Sequence, residues 1–138
     1  MGIRTFVDTN VLVYLFDAAD EARRTRAHDV LDDLEFGELV LSTQVLQEFY
    51  VTATQKLELE PEVAVNALAS LAKNPVVVVD PPVIFAAASR SLSDRLNFWD
   101  ALIIESALSA GCERLLTEDR GLRPGSTFGS MRVENPFA

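Results

Sequence analysis

Ile3-Arg4-Thr5-Phe6-Val7-Asp8-Thr9-Asn10-Val11-Leu12-Val13-Tyr14-Leu15-Phe16 reads as a strand that hands over to a helix. Ile3 to Val7 is a short strand of buried character. Asn10 to Phe16 is helical, with Val11, Leu12, Tyr14 and Leu15 apolar. Asp8 falls at the junction. An aspartate there can cap the helix, but Thr9 and Asn10 can do so equally well. Three candidate caps in a row make an acid at position 8 more than capping requires.

The same alternation continues outward along the chain. Ala22 to Leu34 predicts a polar helix and Leu39 to Leu41 a brief strand. Ser42 or Thr43 caps a helix that runs to about Lys56, with Val45, Leu46, Phe49, Tyr50 and Ala53 on its buried side. Pro61 suits the first position of a helix through Lys73. Val76 to Val79, apolar on both faces, predicts a covered parallel strand. Asp80-Pro81-Pro82 opens a helix to about Ser91, followed by a polar loop from Ser93 to Arg95. Asn97 starts a helix through Ala110 that stops at Gly111, a favoured C-terminal cap. Arg114 to Leu116 and Met131 to Glu134 complete the strands. Strands alternating with helices imply a parallel sheet covered on both faces, one domain over residues 1–138. In such sheets ligands bind beyond the carboxyl ends of the strands.

Four acids fall where they can reach that edge. Asp8 and Asp119 follow strands. Asp100 is in the first turn of a helix, and Glu48 is one or two turns into another. Each also has a structural reading. Asn97 and Asp100 form an N-x-x-D pattern resembling a capping box, so spacing alone leaves Asp100 open between cap and site. Asp119 in Thr117-Glu118-Asp119-Arg120-Gly121 fits an ordinary turn. Glu48 lies at the margin of an apolar stripe, where a solvated glutamate is uncommon. Carboxylates gathered without His or Cys favour hard cations such as Mg²⁺ or Mn²⁺, and hence phosphate chemistry.

Composition sets bounds on this reading. The chain has 138 residues, 49% of them hydrophobic, which suits a single folded domain. The net charge of -9 opposes nucleic-acid binding unless bound divalent ions reverse the local field. The cations are ten Arg and two Lys, Lys56 and Lys73, and Arg is the better bidentate phosphate ligand. Cys112, the single cysteine, allows no intrachain disulfide and no thiolate metal site; it reads as a small buried hydrophobe. His28 and the Arg23-Arg24-Arg26 cluster read as solvated surface. No apolar run reaches transmembrane length and no signal peptide is visible, so the cytoplasm is the expected compartment.

Taken in order, Phe-Val-Asp-Thr-Asn at 6–10, Glu48 in a Ser/Thr-capped helix, Phe-Trp-Asp-Ala-Leu-Ile at 98–103 and Leu-Leu-Thr-Glu-Asp at 115–119 resemble the PIN-domain proteins. More narrowly they resemble the VapC toxins of toxin–antitoxin pairs. The resemblance spans nearly the whole chain. It implies a three-layer α/β domain with a central parallel sheet of about five strands flanked by helices. It implies a Mg²⁺- or Mn²⁺-dependent endoribonuclease that cuts RNA by activated water and leaves 5′ phosphate and 3′ hydroxyl ends. Asp8, Glu48 and Asp100 match the family's three main acids and Asp119 its fourth, as catalytic and metal-binding residues. Asn10 and Thr117 match its supporting polar positions. The resemblance also implies an antitoxin partner and a homodimer. Val11, Leu12, Leu15, Phe16, Phe49 and Tyr50 lie near the acids, and some of them are expected to line a groove for the partner, with Leu12 and Phe49 reading better as core.

Other classes fit less well. A phosphatase that begins with Asp after strand one wants a second acid two residues on, where this chain has Asn10. A receiver domain wants a Lys after a late strand, and neither lysine is so placed. A non-catalytic binding module on the same fold would use the acids as caps or as a docking surface.

Overall fold

The computed structural model describes residues 2–138. The chain runs β1 (Thr5–Val7), α1 (Thr9–Tyr14), α2 (Glu21–Asp32), β2 (Leu39–Ser42), α3 (Thr43–Gln55), α4 (Pro61–Leu71), β3 (Val76–Val77), α5 (Pro81–Asp94), α6 (Phe98–Ser109), β4 (Arg114–Leu116), a 3-10 turn (Arg120–Leu122), β5 (Thr127–Phe128) and β6 (Met131–Glu134). The sheet order is β3-β2-β1-β4-β6-β5. All pairings are parallel except β5 with β6. The central strands supply the core: Phe6, Val7, Val40, Leu41, Leu115 and Leu116 are buried, with α6 covering them through Ala101, Ile104 and Ala107.

Local chemistry sets the helix ends. Ser42 closes β2 and caps α3, its Oγ accepting from the Val45 amide at 3.3 Å. Asp80 caps α5 by accepting from Val83 N at 3.2 Å, with proline in the first turn. Gly111 ends α6 as expected. At φ +71° it lets Gly111 N donate to Leu108 O and Cys112 N to Ala107 O, which satisfies two orphan carbonyls and buries Cys112.

Three sequence expectations are corrected. The sheet has six strands, not five; the additional one is the two-residue β5, which pairs antiparallel with β6 around Gly129. The expected strand Val76 to Val79 is cut to Val76–Val77. Its only neighbour, β2, turns into α3 after Ser42, so Val78 has no ladder to join and is 67% exposed. Val79 N bonds the Thr43 hydroxyl at 3.1 Å instead. Finally, α5 continues through the expected loop to Asp94 and ends on Arg95 in the left-handed region at φ +55°.

Candidate active site

β1 and β4 lie side by side in the middle of the sheet, and their carboxyl ends carry the most ordered part of the site. Asp8 N still belongs to the ladder, donating to Leu116 O at 3.0 Å. Its carboxylate then turns into the junction. Oδ1 accepts from Thr9 N at 2.8 Å, and Oδ2 accepts from Thr117 Oγ1 at 2.8 Å and Asn10 Nδ2 at 3.2 Å. Asp8 therefore is the cap of α1, and it also gathers two side chains from beyond the helix. Asn10 uses both ends of its amide: Nδ2 reaches Asp8 and Thr117, and Oδ1 accepts from Glu118 N at 3.0 Å. Thr117 Oγ1 accepts in turn from Asp119 N at 3.0 Å. Asn10 and Thr117 thus stitch the β4 turn to Asp8.

The other two acids arrive on helices. Glu48 of α3 is exposed; its Oε1 accepts from Thr9 Oγ1 at 2.9 Å and its Oε2 from Gln44 Nε2 at 3.5 Å. Asp100 sits in the first turn of α6. Asn97 alone performs the cap, accepting from Trp99 N at 2.9 Å, and Asp100 instead shares a hydrogen bond with Asp119. The capping-box reading of Asp100 is therefore not what the fold uses. Asp119 caps the 3-10 turn through Gly121 N at 2.8 Å. Asp8, Glu48, Asp100 and Asp119 all line one cavity of about 650 Å³, and Asn10 lines it with them. Thr117 is fully buried behind Asp8.

Crowding of carboxylates shifts their protonation. Burial pushes the Asp8 carboxyl up to about 6, against the Thr117 and Thr9 hydrogen bonds that favour its charge, and Glu48 and Asp119 add repulsion. Asp100 is pushed up to about 7, chiefly by burial, then by its hydrogen bond to Asp119 and the charges of Asp119, Asp8 and Glu48. Among the described residues no three of His, Cys, Asp and Glu stand close enough to form a closed metal cage. The donors that face the cavity are nonetheless all oxygen. Such an open set suits a hard cation that keeps much of its water and needs only one or two carboxylates.

Several contributors carry no strong signal in the sequence. Gly121 reads as part of an ordinary turn, yet a Cβ on it would sit 2.4 Å from Asp100 Oδ2 and 3.2 Å from Asp119 Oδ1. Any side chain there would have to push the Asp100 carboxylate aside. Gln44, 7% exposed, bridges Glu48 and the carbonyl of Trp99. Arg23 is no idle surface cation: its Nε donates to Glu118 at 2.7 Å while its guanidinium lies over Tyr14 and Phe137, and Tyr14 donates to the same glutamate at 2.8 Å. This clasp braces the loop that carries Asp119. His28 is exposed, as expected. The apolar residues near Asp8 and Glu48 divide into buried and half-buried sets, with Leu12 and Phe49 in the core as expected. Val11, Leu12 and Phe49 are fully buried, Leu15 and Tyr50 pack against the core, and Phe16 packs edge-on against Phe49 at 5.5 Å.

The PIN domain matches this chain over residues 5–124. The chain belongs to the PIN-domain family. Solved structures with the same fold include a toxin–antitoxin complex from Klebsiella pneumoniae, at TM-score 0.72 and 19% identity over 96% of this chain and 97% of that one. The sarcin-ricin-loop-cleaving toxin VapC20 of Mycobacterium tuberculosis aligns at TM-score 0.68 and 22% identity over 80% and 86%. VapBC2 from Rickettsia felis, bound to a promoter DNA fragment, aligns at 0.62 and 16% over 95% and 97%. At these identities the likeness establishes the fold of the PIN domain and nothing finer. None of the curated proteins matches the chain.

Proposed function

We propose that this PIN domain is a Mg²⁺- or Mn²⁺-dependent endoribonuclease, a VapC-like toxin, in which Asp8, Glu48, Asp100 and Asp119 hold the metal and Asn10 and Thr117 support them. The observation that carries this reading is the convergence of four carboxylates on one cavity, with Asp8 and Asp100 raised toward neutrality by burial and mutual repulsion. Carboxylates so placed attract a divalent cation, which relieves the repulsion. A bound cation would lower the pKa of a water and neutralise charge on the scissile phosphate.

The remaining work falls to the chain itself. Thr9 N, Asn10 and Thr117 fix both oxygens of Asp8, so its lone pairs face a set direction. Thr9 Oγ1 holds Glu48 across the cleft. Burial first, and then the nearby Asp119, hold the Asp100 carboxyl up to about 7. No His or Cys lines the cavity, which fits water as the nucleophile. Asn10, its amide engaged on both sides, cannot act as the general acid that a phosphatase would need.

The two toxin–antitoxin structures support an antitoxin as partner, and a homodimer is part of the same proposal. No helix among the described residues is long and apolar enough to cross a membrane, and we place the protein in the cytoplasm on the toxin reading. The test is incubation of purified protein with total cellular RNA in Mg²⁺, in Mn²⁺ and in EDTA, with the cut ends mapped. Cleavage that needs the cation, leaving 5′ phosphates, is the expected result. Intact RNA under all three conditions would refute the nuclease.

A further inference from the structure

Trp99 is the sole tryptophan of the chain, and it is 60% exposed. It lines the acidic cleft one residue before Asp100, with its ring edge-on to Phe98 at 5.1 Å. An exposed indole forgoes the stabilisation that burying its large apolar surface would give. Its backbone, by contrast, is held on both sides. Trp99 N donates to Asn97 Oδ1 at 2.9 Å, and Trp99 O accepts from Gln44 Nε2 at 3.4 Å. The ring is thus presented to the cleft from a fixed base. Two further features of the cleft are unspent. Gln44 Oε1 is buried with no hydrogen-bond partner. Lys56, at the end of α3, is the only cationic residue lining the cavity, and it makes no ion pair among the described residues.

We propose that Trp99 is a stacking platform for an unpaired nucleobase beside the cut phosphate, and that Lys56 contacts the RNA backbone elsewhere in the same cleft. This rests on the nuclease reading above. Every base offers a π-face to an indole, and stacking requires the base to leave its own helix. A phosphate held at Asp100 brings the neighbouring base within reach of Trp99, because both residues line the same cavity. Lys56 offsets part of the repulsion between the acids and the RNA backbone. The platform therefore selects single-stranded or looped RNA over duplex.

The emission of Trp99 reports this site alone, so binding can be read without turnover. The full chain is titrated in Ca²⁺ with an end-labelled single-stranded oligoribonucleotide, the same strand annealed to its complement, and an abasic strand of equal length. Label anisotropy and tryptophan emission are recorded together. The single strand quenches emission as it binds, the abasic strand binds without quenching, and the duplex binds more weakly. Trp99→Ala weakens single-strand binding about 5- to 150-fold, Trp99→Phe much less. Lys56→Gln flattens the plot of log affinity against log salt by about 0.7, one phosphate contact. RNA binding with unchanged emission, Trp99→Ala binding as tightly as wild type, no RNA binding at all, or emission that responds only to a co-purified protein partner each overturns the proposal. Quenching as described, with RNA left uncut in Mg²⁺ and Mn²⁺, would instead remove the nuclease reading and keep Trp99 as a base platform.

Discussion

Asp8 and Glu48 face the same cleft under different regimes. Asp8 is 7% exposed and takes three hydrogen bonds, two of them from side chains that are themselves tied to the β4 turn. Glu48 is exposed and rests on a threonine hydroxyl and one long amide contact. Asp100 and Asp119 fall between the two, each other's partner across the mouth of the site. The strand side of the cleft is set by the fold before any ligand arrives. The helix side is compliant. On the nuclease proposed above, the preorganised side would give direction and the looser side would let a cation's shell close.

Loss of an acid's charge is the largest expected effect on either side of the cleft. Asp8→Asn and Asp100→Asn should each lower RNA cleavage by more than about 100-fold, beyond the usual cost of losing a ligand's supporting group. Asp100→Asn is the cleaner test because Asn97 already caps α6. A folded Asp100→Asn protein with full activity would remove Asp100 from the site. Next come the hydroxyls that hold an acid on each side. Thr117→Val leaves Asp8 Oδ2 and Asp119 N short of a buried partner, which should cost about 1–3 kcal/mol in denaturant melts and about 10- to 100-fold in activity. Thr9→Val frees only the exposed Glu48, so stability should hold within about 0.5 kcal/mol. Equal effects of the two would erase the distinction between the sides. Gly121→Ala pushes a methyl into Asp100 Oδ2 and should cost about tenfold in activity, with little change in melting temperature, since the clash falls on a side chain that can swing away.

The linkage to pH and metal bears on both sides of the cleft at once. Asp8 and Asp100 have carboxyls raised from 3.8 to about 6 and about 7. Between pH 4 and 7 the metal-free fold binds more protons than the unfolded chain, so its stability should fall as pH rises through that window. Mn²⁺ should flatten the slope and raise the melting temperature, by roughly 10 °C at 100 times Kd. In Asp8→Asn the Mn²⁺ shift should nearly vanish. A melting curve that Mn²⁺ moves equally in both proteins would place the cation elsewhere.

Much of this architecture is written locally. The β1–α1 junction, the Ser42 and Asp80 caps, Pro61 and the Gly111 stop all depend on residues within a few positions of one another, and all are legible in the chain. The four acids are legible for the same reason: each is tied to an element boundary or a stripe margin. What escapes is set by distant neighbours. Val76 to Val79 has the composition of a covered strand, but its length is decided by where Ser42 ends β2. The role of Gly121 depends on Asp100, and that of Arg23 on Glu118 and Phe137. Asp100 satisfies a capping pattern in sequence while the fold spends it on Asp119. Among the apolar residues after Asp8 and Glu48, proximity in sequence to the acids does not say which are core and which stay half-exposed, as Leu15, Phe16 and Tyr50 do.

Both outer strands of the sheet, β3 and β5, are two residues long. A sheet presents unpaired amides and carbonyls along its margins, and long flat margins recruit strands from other molecules. Here each margin offers almost nothing to copy. The long parallel pairings lie inside, where no second molecule reaches them. Fibrous self-association through the sheet is therefore disfavoured even when the protein is concentrated and its acids are neutralised by cations. A change that lengthened β3, by letting Val78 and Val79 rejoin a ladder, would trade that safeguard for a sticky edge.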